Sequence, residues 1–366
     1  MRAKPNKSRA GRARAPDSAA NEVRNRPVTI VDVATRCGVS IRTVSKVLNN
    51  EGKVSTATRE RIQFAIAALN FKPNSSARSL ASRRAYLVAL LYDDPAADYL
   101  VQLIHGSQRA CHRLGYGLLT EPMRFDNPHL VDEVQALIRE RRPAGLVVTP
   151  PICDVPAVIE ALQASKTPFT CIARLDPVVG GDLVRVDDRS AGIDVTSYLL
   201  KLGHRRIAFI KGPAAHAAAK LRYDGFVQAH HQAGIAIDPH LIRQGTFSFE
   251  SGRECADDLL AREPRPTAIF ASNDNMAAGV LHVAHDRGLS IPKDLSVVGF
   301  DDSPLSRQVW PSLTTVRQPV SDMAERATEM AIQARQHTLP DATERASTIT
   351  FAYEVILRSS SGSAPT

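Results

Sequence analysis

The sequence predicts an α-helical helix-turn-helix headpiece followed by an α/β core of two doubly wound parallel-sheet lobes. Three observations carry this. The run V28-T-I-V-D-V-A-T-R-C-G-V-S-I-R-T-V-S-K-V-L-N49 holds two short stretches of helical apolar spacing joined by a tight turn. From Ala85 onward, short β-branched apolar runs alternate with helical stretches. Positive charge is confined to one end: the first 84 residues carry 18 Lys and Arg against 5 Asp and Glu, the remainder 28 against 33.

Thr29 suits an N-cap, its hydroxyl placed to accept from an orphan N–H, and Ile30, Val33 and Ala34 follow at helical spacing. Gly38 stands where the chain must leave that helix in a left-handed conformation, and Ser40 caps a second helix from Ile41 to about Leu48. Two helices joined so tightly read as helix-turn-helix. Val44, Val47 and Leu48 pack inward against Val33 and Ala34, which leaves Ile41, Arg42, Ser45, Lys46 and Asn49 outward. That face suits a major groove; a satisfied helix pair with a solvated polar side is the plain alternative. A third helix from about Ser55 through Ile62, Ala65, Ile66 and Leu69 to Asn70 closes a domain over 27–72.

Residues 73–84 follow as a hinge, beginning P73-N-S-S-A-R-S-L80. The eight residues 73–80 are too few to form a helix alone in water. Rich in Asn, Ser and Ala, with one projecting leucine, the segment has the size to fold in a minor groove, where an apolar wedge pries open a base step. Its plain alternative is a linker.

Residues 1–26 form a basic tail without apolar periodicity, expected to be disordered. The tail has no apolar h-region and is no secretory signal. It is either a non-specific DNA-attracting arm or the product of a mis-assigned start codon. The charge footprint is that of a phosphate-binding module whose affinity falls steeply with salt. A chain of 366 residues, 43% hydrophobic, buries a sizeable core in two or three domains. No run approaches the roughly 18 to 20 apolar residues that span a bilayer, so no membrane partner is expected. The five cysteines, at 37, 111, 153, 171 and 255, lack C-x-x-C spacing and read as reduced thiols in a cytoplasm. No nucleophile elbow, no metal-spaced His or Cys set and no G-x-G-x-x-G follows the first strand; neither enzyme, metal nor cofactor is expected.

In the core, strands are read at Y86–Y92, G117–T120, A144–T149, F169–A173, V184–V186, I207–I210, T267–A271 and L295–F300, each followed by a helical stretch. Continuous apolar strands covered on both faces mark parallel sheets. Ligands in such sheets lie beyond the carboxyl ends of the strands, where this chain offers Arg174, Asp187, Arg222, Phe247, Asn273 and Asp301. Together they describe a polyol site: a flat ring covers the apolar face of a pyranose while Arg, Asn and Asp serve its hydroxyls. Each also has a bland reading, since Asn273 and Asp274 suit a helix cap, Asp301 a strand end and Phe247 the core.

The run from Thr29 to Leu80 resembles the headpiece and hinge of the LacI/GalR family of bacterial transcription regulators. It matches T-I-x-D-V-A, G-V-S, T-V-S-x-V-L-N, T-R-x-R-I and P-N-x-x-A-R-x-L in order and spacing. The resemblance implies that Ile41, Arg42 and Lys46 read base edges of a palindromic operator. Thr29, Thr43, Ser45, Asn49, Lys53, Ser55 and Asn74 would hold phosphates, and Leu80 would intercalate with Ala77 and Arg78 beside it. It implies a periplasmic-binding-protein-like core of two lobes with a cleft between them, joined by crossings near Asp187, Gln318 and after Asp341. Lobe 1 would span about 85–187 and 319–345, and lobe 2 about 188–318 and 346–358. A-S-N-D-N-M-A-A-G resembles the family's effector motif, with Asn273 on a sugar hydroxyl; Asp301, Arg222 and Phe247 are similarly placed, and Tyr99 joins the set. One departure is Ala173-Arg174 where many sugar-responsive members have Asp-Arg. His216 and Ala218 stand where purine-responsive members carry polar contacts.

The resemblance implies a cytoplasmic homodimeric repressor of carbohydrate-utilisation genes, released from DNA when a mono- or disaccharide closes the cleft. Coupling runs through paired hinge segments that fold only when the amino-terminal lobes are suitably spaced. Without leucine heptads at the carboxyl terminus, a dimer is the default. A purine-responsive regulator is the alternative, with a sugar-binding transport receptor behind it.

Overall fold

The computed structural model describes residues 28–48, 52–71, 86–93, 96–177, 179–336 and 346–365. The chain divides into two compact units, Met1–Arg78 and Ser79–Thr366. In the first, α1 (Ile30–Cys37), α2 (Ile41–Leu48) and α3 (Thr56–Ala68) enclose a core of Val33, Ala34, Cys37, Val44, Val47, Ile62, Ala65 and Phe71. Gly38 ends α1 at φ 62°, as the turn requires. Ser40 Oγ accepts from the Thr43 N–H at 3.1 Å, and Ser55 Oγ from the Thr58 N–H at 3.3 Å. Thr29 caps α1 through a capping box: its side chain meets the Asp32 N–H, while the Asp32 carboxylate accepts from the Thr29 N–H and hydroxyl, each at 2.8 Å.

The second unit is two parallel sheets in sequence. Lobe 1 contains β1 (Leu87–Tyr92), α4 (Ala97–Leu114), β2 (Gly117–Pro122), α5 (Leu130–Arg141), β3 (Gly145–Val148), α6 (Pro156–Ser165), β4 (Phe169–Ile172) and β5 (Asp182–Val186). Lobe 2 contains α7 (Asp188–Lys201), β6 (Ile207–Lys211), α8 (Ala217–Gln232), β7 (Ile242–Gln244), α9 (Phe249–Leu260), β8 (Ala268–Ala271), α10 (Asp274–Asp286), β9 (Ser296–Val298), α11 (Leu305–Gln308) and β10 (Thr315–Arg317). The chain then returns to lobe 1 as α12 (Val320–Gln336) and β11 (Thr348–Phe351), and crosses back as β12 (Glu354–Ile356). Strand orders are β11-β5-β4-β3-β1-β2 and β7-β6-β8-β9, all parallel, with β10 and β12 forming an antiparallel pair.

The period-two alternation of strands divides each core in two. Val88 and Leu90 of β1 pack with α4 and α12, whereas Ala89 and Leu91 pack with α5 and α6. In lobe 2, Ile207 and Phe209 face α7 and α8, and Ala208 and Ile210 face α9 and α10. Both faces of each sheet are thus covered, which is why these strands read as unbroken apolar runs.

Two expectations are corrected. The third crossing follows Asp341 later than the expected lobe 1 boundary near residue 345. Thr348–Phe351 pairs in parallel with β5, so lobe 1 extends to Phe351 and the chain crosses at Ala352 and Tyr353. The strand at Phe169 runs through an irregular loop straight into β5, with no intervening helix. The five cysteines are all buried and unbridged.

Candidate functional site

On the headpiece, burial of Val44 and Val47 turns the opposite side of α2 outward. Ile41 is 48% exposed, Arg42 is exposed, and Thr43, Ser45 and Lys46 are half-buried. The Lys46 side chain lies along the loop at Gly52, 3.5 Å from where a Cβ would stand. Lys53 and Ser55 are exposed beyond it. Thr43 shares a 2.8 Å hydroxyl contact with Ser40, which orients it at the start of the helix. One short helix face therefore presents an apolar group and two cations, with hydroxyls beside them. Asn49, Asn74, Ala77, Arg78 and Leu80 lie outside the described residues, as does the tail 1–26.

Between the lobes of the core lies a cleft of about 720 Å³. It is built almost wholly from residues at the carboxyl ends of strands, where an open α/β sheet leaves its crevice. Lobe 1 contributes Asp93 after β1, Phe125 after β2, Pro150 and Pro151 after β3, and Tyr99 from α4. Lobe 2 contributes His216 after β6, Arg222 from α8, Phe247 and Glu250 after β7, Asn273 after β8 and Asp301 after β9. Three of the lining residues, Ala173, Phe247 and Asp301, hold positive φ at 55°, 66° and 112° without being glycine. Strained backbone concentrated on one cleft marks a site whose shape is over-determined by its surroundings. Phe247 owes its place to Gly212, where a Cβ would stand 2.3 Å from the ring. His216 meets the same ring edge-on at 5.2 Å.

The cleft floor is a buried charge cluster. Arg222 Nε donates to Asp188 at 2.8 Å and Nη1 to the Ser272 carbonyl at 2.6 Å. Its guanidinium stacks 3.6 Å over Phe300 and stands 3.8 Å from Asp301. Burial raises Asp301 to about 6 against the pull of Arg222, and it raises the Tyr99 hydroxyl well above its usual range. Burial, with Arg222 adding, lowers His216 to about 4, so this histidine is a neutral hydrogen-bonding ring at pH 7. Asn273 is doubly engaged: its side-chain oxygen accepts from the Met276 N–H and its amide donates to the Phe247 carbonyl, each at 2.9 Å. It caps α10 and ties the aromatic loop to the cleft.

A family profile described as bacterial regulatory proteins, lacI family, matches residues 29–74, and a periplasmic binding protein-like domain matches 196–361. The HTH-type transcriptional regulator DegA of Bacillus subtilis (strain 168) is 36% identical over 301 residues, covering 81% of this chain and 89% of that protein. The chain belongs to the lacI family of bacterial regulatory proteins. The HTH-type transcriptional repressor PurR of Haemophilus influenzae is 31% identical over 334 residues, covering 91% of this chain and 98% of that protein. Among solved structures, a lac repressor dimer bound to operator and the anti-inducer ONPF matches with a TM-score of 0.72 and 27% identity, over 92% of this chain and 100% of that one. A transcriptional regulator CelR–cellobiose complex matches at TM-score 0.69 and 27% identity, with the same coverage. This lacI-family chain is a DNA-binding transcriptional regulator.

Of the expected effector residues, the cleft brings together Tyr99, Arg222, Phe247, Asn273 and Asp301. Arg174 and Asp187 are not among them. The Arg174 guanidinium binds the carbonyls of Cys153 and Asp176, at 2.8 and 2.6 Å, and so holds the turn after β3. Asp187 caps α7, accepting from the Ser190 N–H and hydroxyl at 3.0 and 2.7 Å. Its neighbour Asp188 faces Arg222 instead, since successive residues on a helix point about 100° apart. His216, outside the expected effector set, also lines the cleft. Asp93 was open to the strand-end rule; Phe125 sits in an irregular loop and carries no sequence signal.

Proposed function

We propose that this regulator represses genes of carbohydrate use and is relieved by a mono- or disaccharide bound in the interlobe cleft. The observation that carries the proposal is the Phe247 ring held against a polar wall of Asn273, Arg222 and Asp301, a ring surface beside forked donors and acceptors. The cellobiose in the CelR complex supports it. We propose further that the regulator acts as a homodimer on a palindromic operator in the cytoplasm, with the hinge 73–84 conveying cleft closure to the headpiece. Trp310 and Leu357 on lobe 2, 82% and 58% exposed, support a surface that another copy covers. Among the described residues no helix is long and apolar enough to cross a membrane.

The test is operator binding by fluorescence anisotropy with and without saturating sugars. At least one should weaken operator affinity, by about 5- to 150-fold for ordinary coupling. If none does, the inducer reading is wrong.

A further inference from the structure

We infer that the effector is a neutral saccharide of at least two rings, with Phe125 and Phe249 forming the platform of its second ring. The inference rests on the saccharide reading above and specifies its size and charge.

Charge comes first. Every arginine at or beside the cleft is engaged by the protein itself. Arg222 is bound to Asp188 and the Ser272 carbonyl, Arg124 to both carboxylate oxygens of Asp126 at 3.1 and 2.9 Å, and Arg174 to two carbonyls. The other ionisable groups lining the cleft are the carboxylates of Asp93, Glu250 and Asp301, with Tyr99 and His216, both uncharged at pH 7. A phosphate or carboxylate entering here would lose its hydration and meet carboxylates, a cost no protein cation is placed to offset. Hydroxyl groups suit the same wall, because carboxylates accept from them.

Size follows from where the rings stand. Phe247 is half-buried against Gly212 and His216, beside the floor made by Arg222 and Asn273, and that inner end suits one pyranose. Two more aromatic residues line the same cleft from opposite lobes, Phe125 at 40% exposure from the loop after β2 and Phe249 at 36% from the start of α9, where its ring also meets His282 at 5.7 Å. Large apolar side chains left exposed on the walls of a polar crevice mark a binding surface. The cleft volume, about 720 Å³, falls inside the roughly 300 to 1,000 Å³ of small-molecule sites.

Isothermal titration of the full chain is the test, with glucose, galactose, fructose, cellobiose, maltose, lactose, sucrose and melibiose, and with glucose 6-phosphate and glucuronate. The expected result is a disaccharide binding at least about ten-fold tighter than either of its constituent hexoses, with neither anion competing. In Phe125→Ala and in Phe249→Ala that preference should shrink to near unity. A hexose that binds as tightly as its disaccharide, or an anion that binds more tightly than its neutral parent, overturns the inference and leaves the saccharide reading standing. A disaccharide preference untouched by both substitutions overturns the assignment to these two rings. Binding of no sugar at all sinks the saccharide reading and this inference with it.

Discussion

The carboxylate of Asp154, in lobe 1, accepts from the backbone N–H of Ala217, the first residue of α8 in lobe 2, at 3.2 Å. The N-cap residue of α8, His216, makes no side-chain cap of its own. A helix of one lobe thus takes its cap from the other, and parting the lobes removes it. A capping bond is worth about 1 kcal/mol. Asp154→Ala should therefore weaken sugar binding about five-fold, whereas Asp154→Asn, which still accepts, should change it little. Titration of both variants checks this, and equal losses would count against the cap.

Asp274 gives the core a pH dependence. Burial first, and the charge on Asp301 second, raise its carboxyl to about 8. The unfolded carboxyl titrates near 4. With the folded value the higher, its stabilising contribution is complete below about pH 4 and disappears as pH climbs through about 8. Asp301, raised to about 6, adds in the same direction. The melting temperature of the core should fall between about pH 5 and pH 8.5, and Asp274→Asn should flatten that slope in calorimetry.

Arg222→Ala should remove the sugar response and also destabilise the core. Its side chain is 6% exposed, and its loss leaves Asp188, 2% exposed, without its partner. Breaking a buried pair costs about 3–5 kcal/mol. The double variant Arg222→Met with Asp188→Leu should recover most of that stability in denaturant melts without recovering sugar binding.

Gly212→Ala should cost both binding and stability. The added methyl meets the far end of the Phe247 side chain, which can swing away, and the Cβ of the buried Ala219 at 2.9 Å, which cannot. Sugar affinity should fall about ten-fold and the melting temperature by a few degrees. Unchanged sugar affinity would remove Phe247 from the site.

On the headpiece, Arg42→Ala should relax base preference at one operator position by about 1–3 kcal/mol, because its exposed side chain leads α2. Lys53→Ala should weaken all sequences alike and reduce the salt slope by about one. Anisotropy across a salt series, on matched and mismatched duplexes, distinguishes the two.

The headpiece was almost fully legible because its signals are local: Gly38 and Ser40 fix the turn within three residues, and the inward face follows from Val44 and Val47. The strand ends located the cleft, yet they did not say which side chain turns into it. Asp187 and Asp188 both follow β5, and helix geometry alone sends the first to a cap and the second to Arg222. Arg174 was misplaced for a similar reason, since its partners are carbonyls that become neighbours only on folding. β11 escaped notice because it is an edge strand with alternately exposed and half-buried residues, lacking the apolar run of its covered neighbours.

The late return of the chain sets a rule for its synthesis. β11 lies along β5 at the margin of lobe 1, and beyond β12 the backbone of Ser360 receives the Val297 N–H in lobe 2 at 2.8 Å. Until the last few dozen amino acids leave the ribosome, both halves expose an unpaired border to whatever other chain is near. A premature stop close to residue 345 would therefore yield two unfinished, sticky lobes in place of one good lobe and one bad.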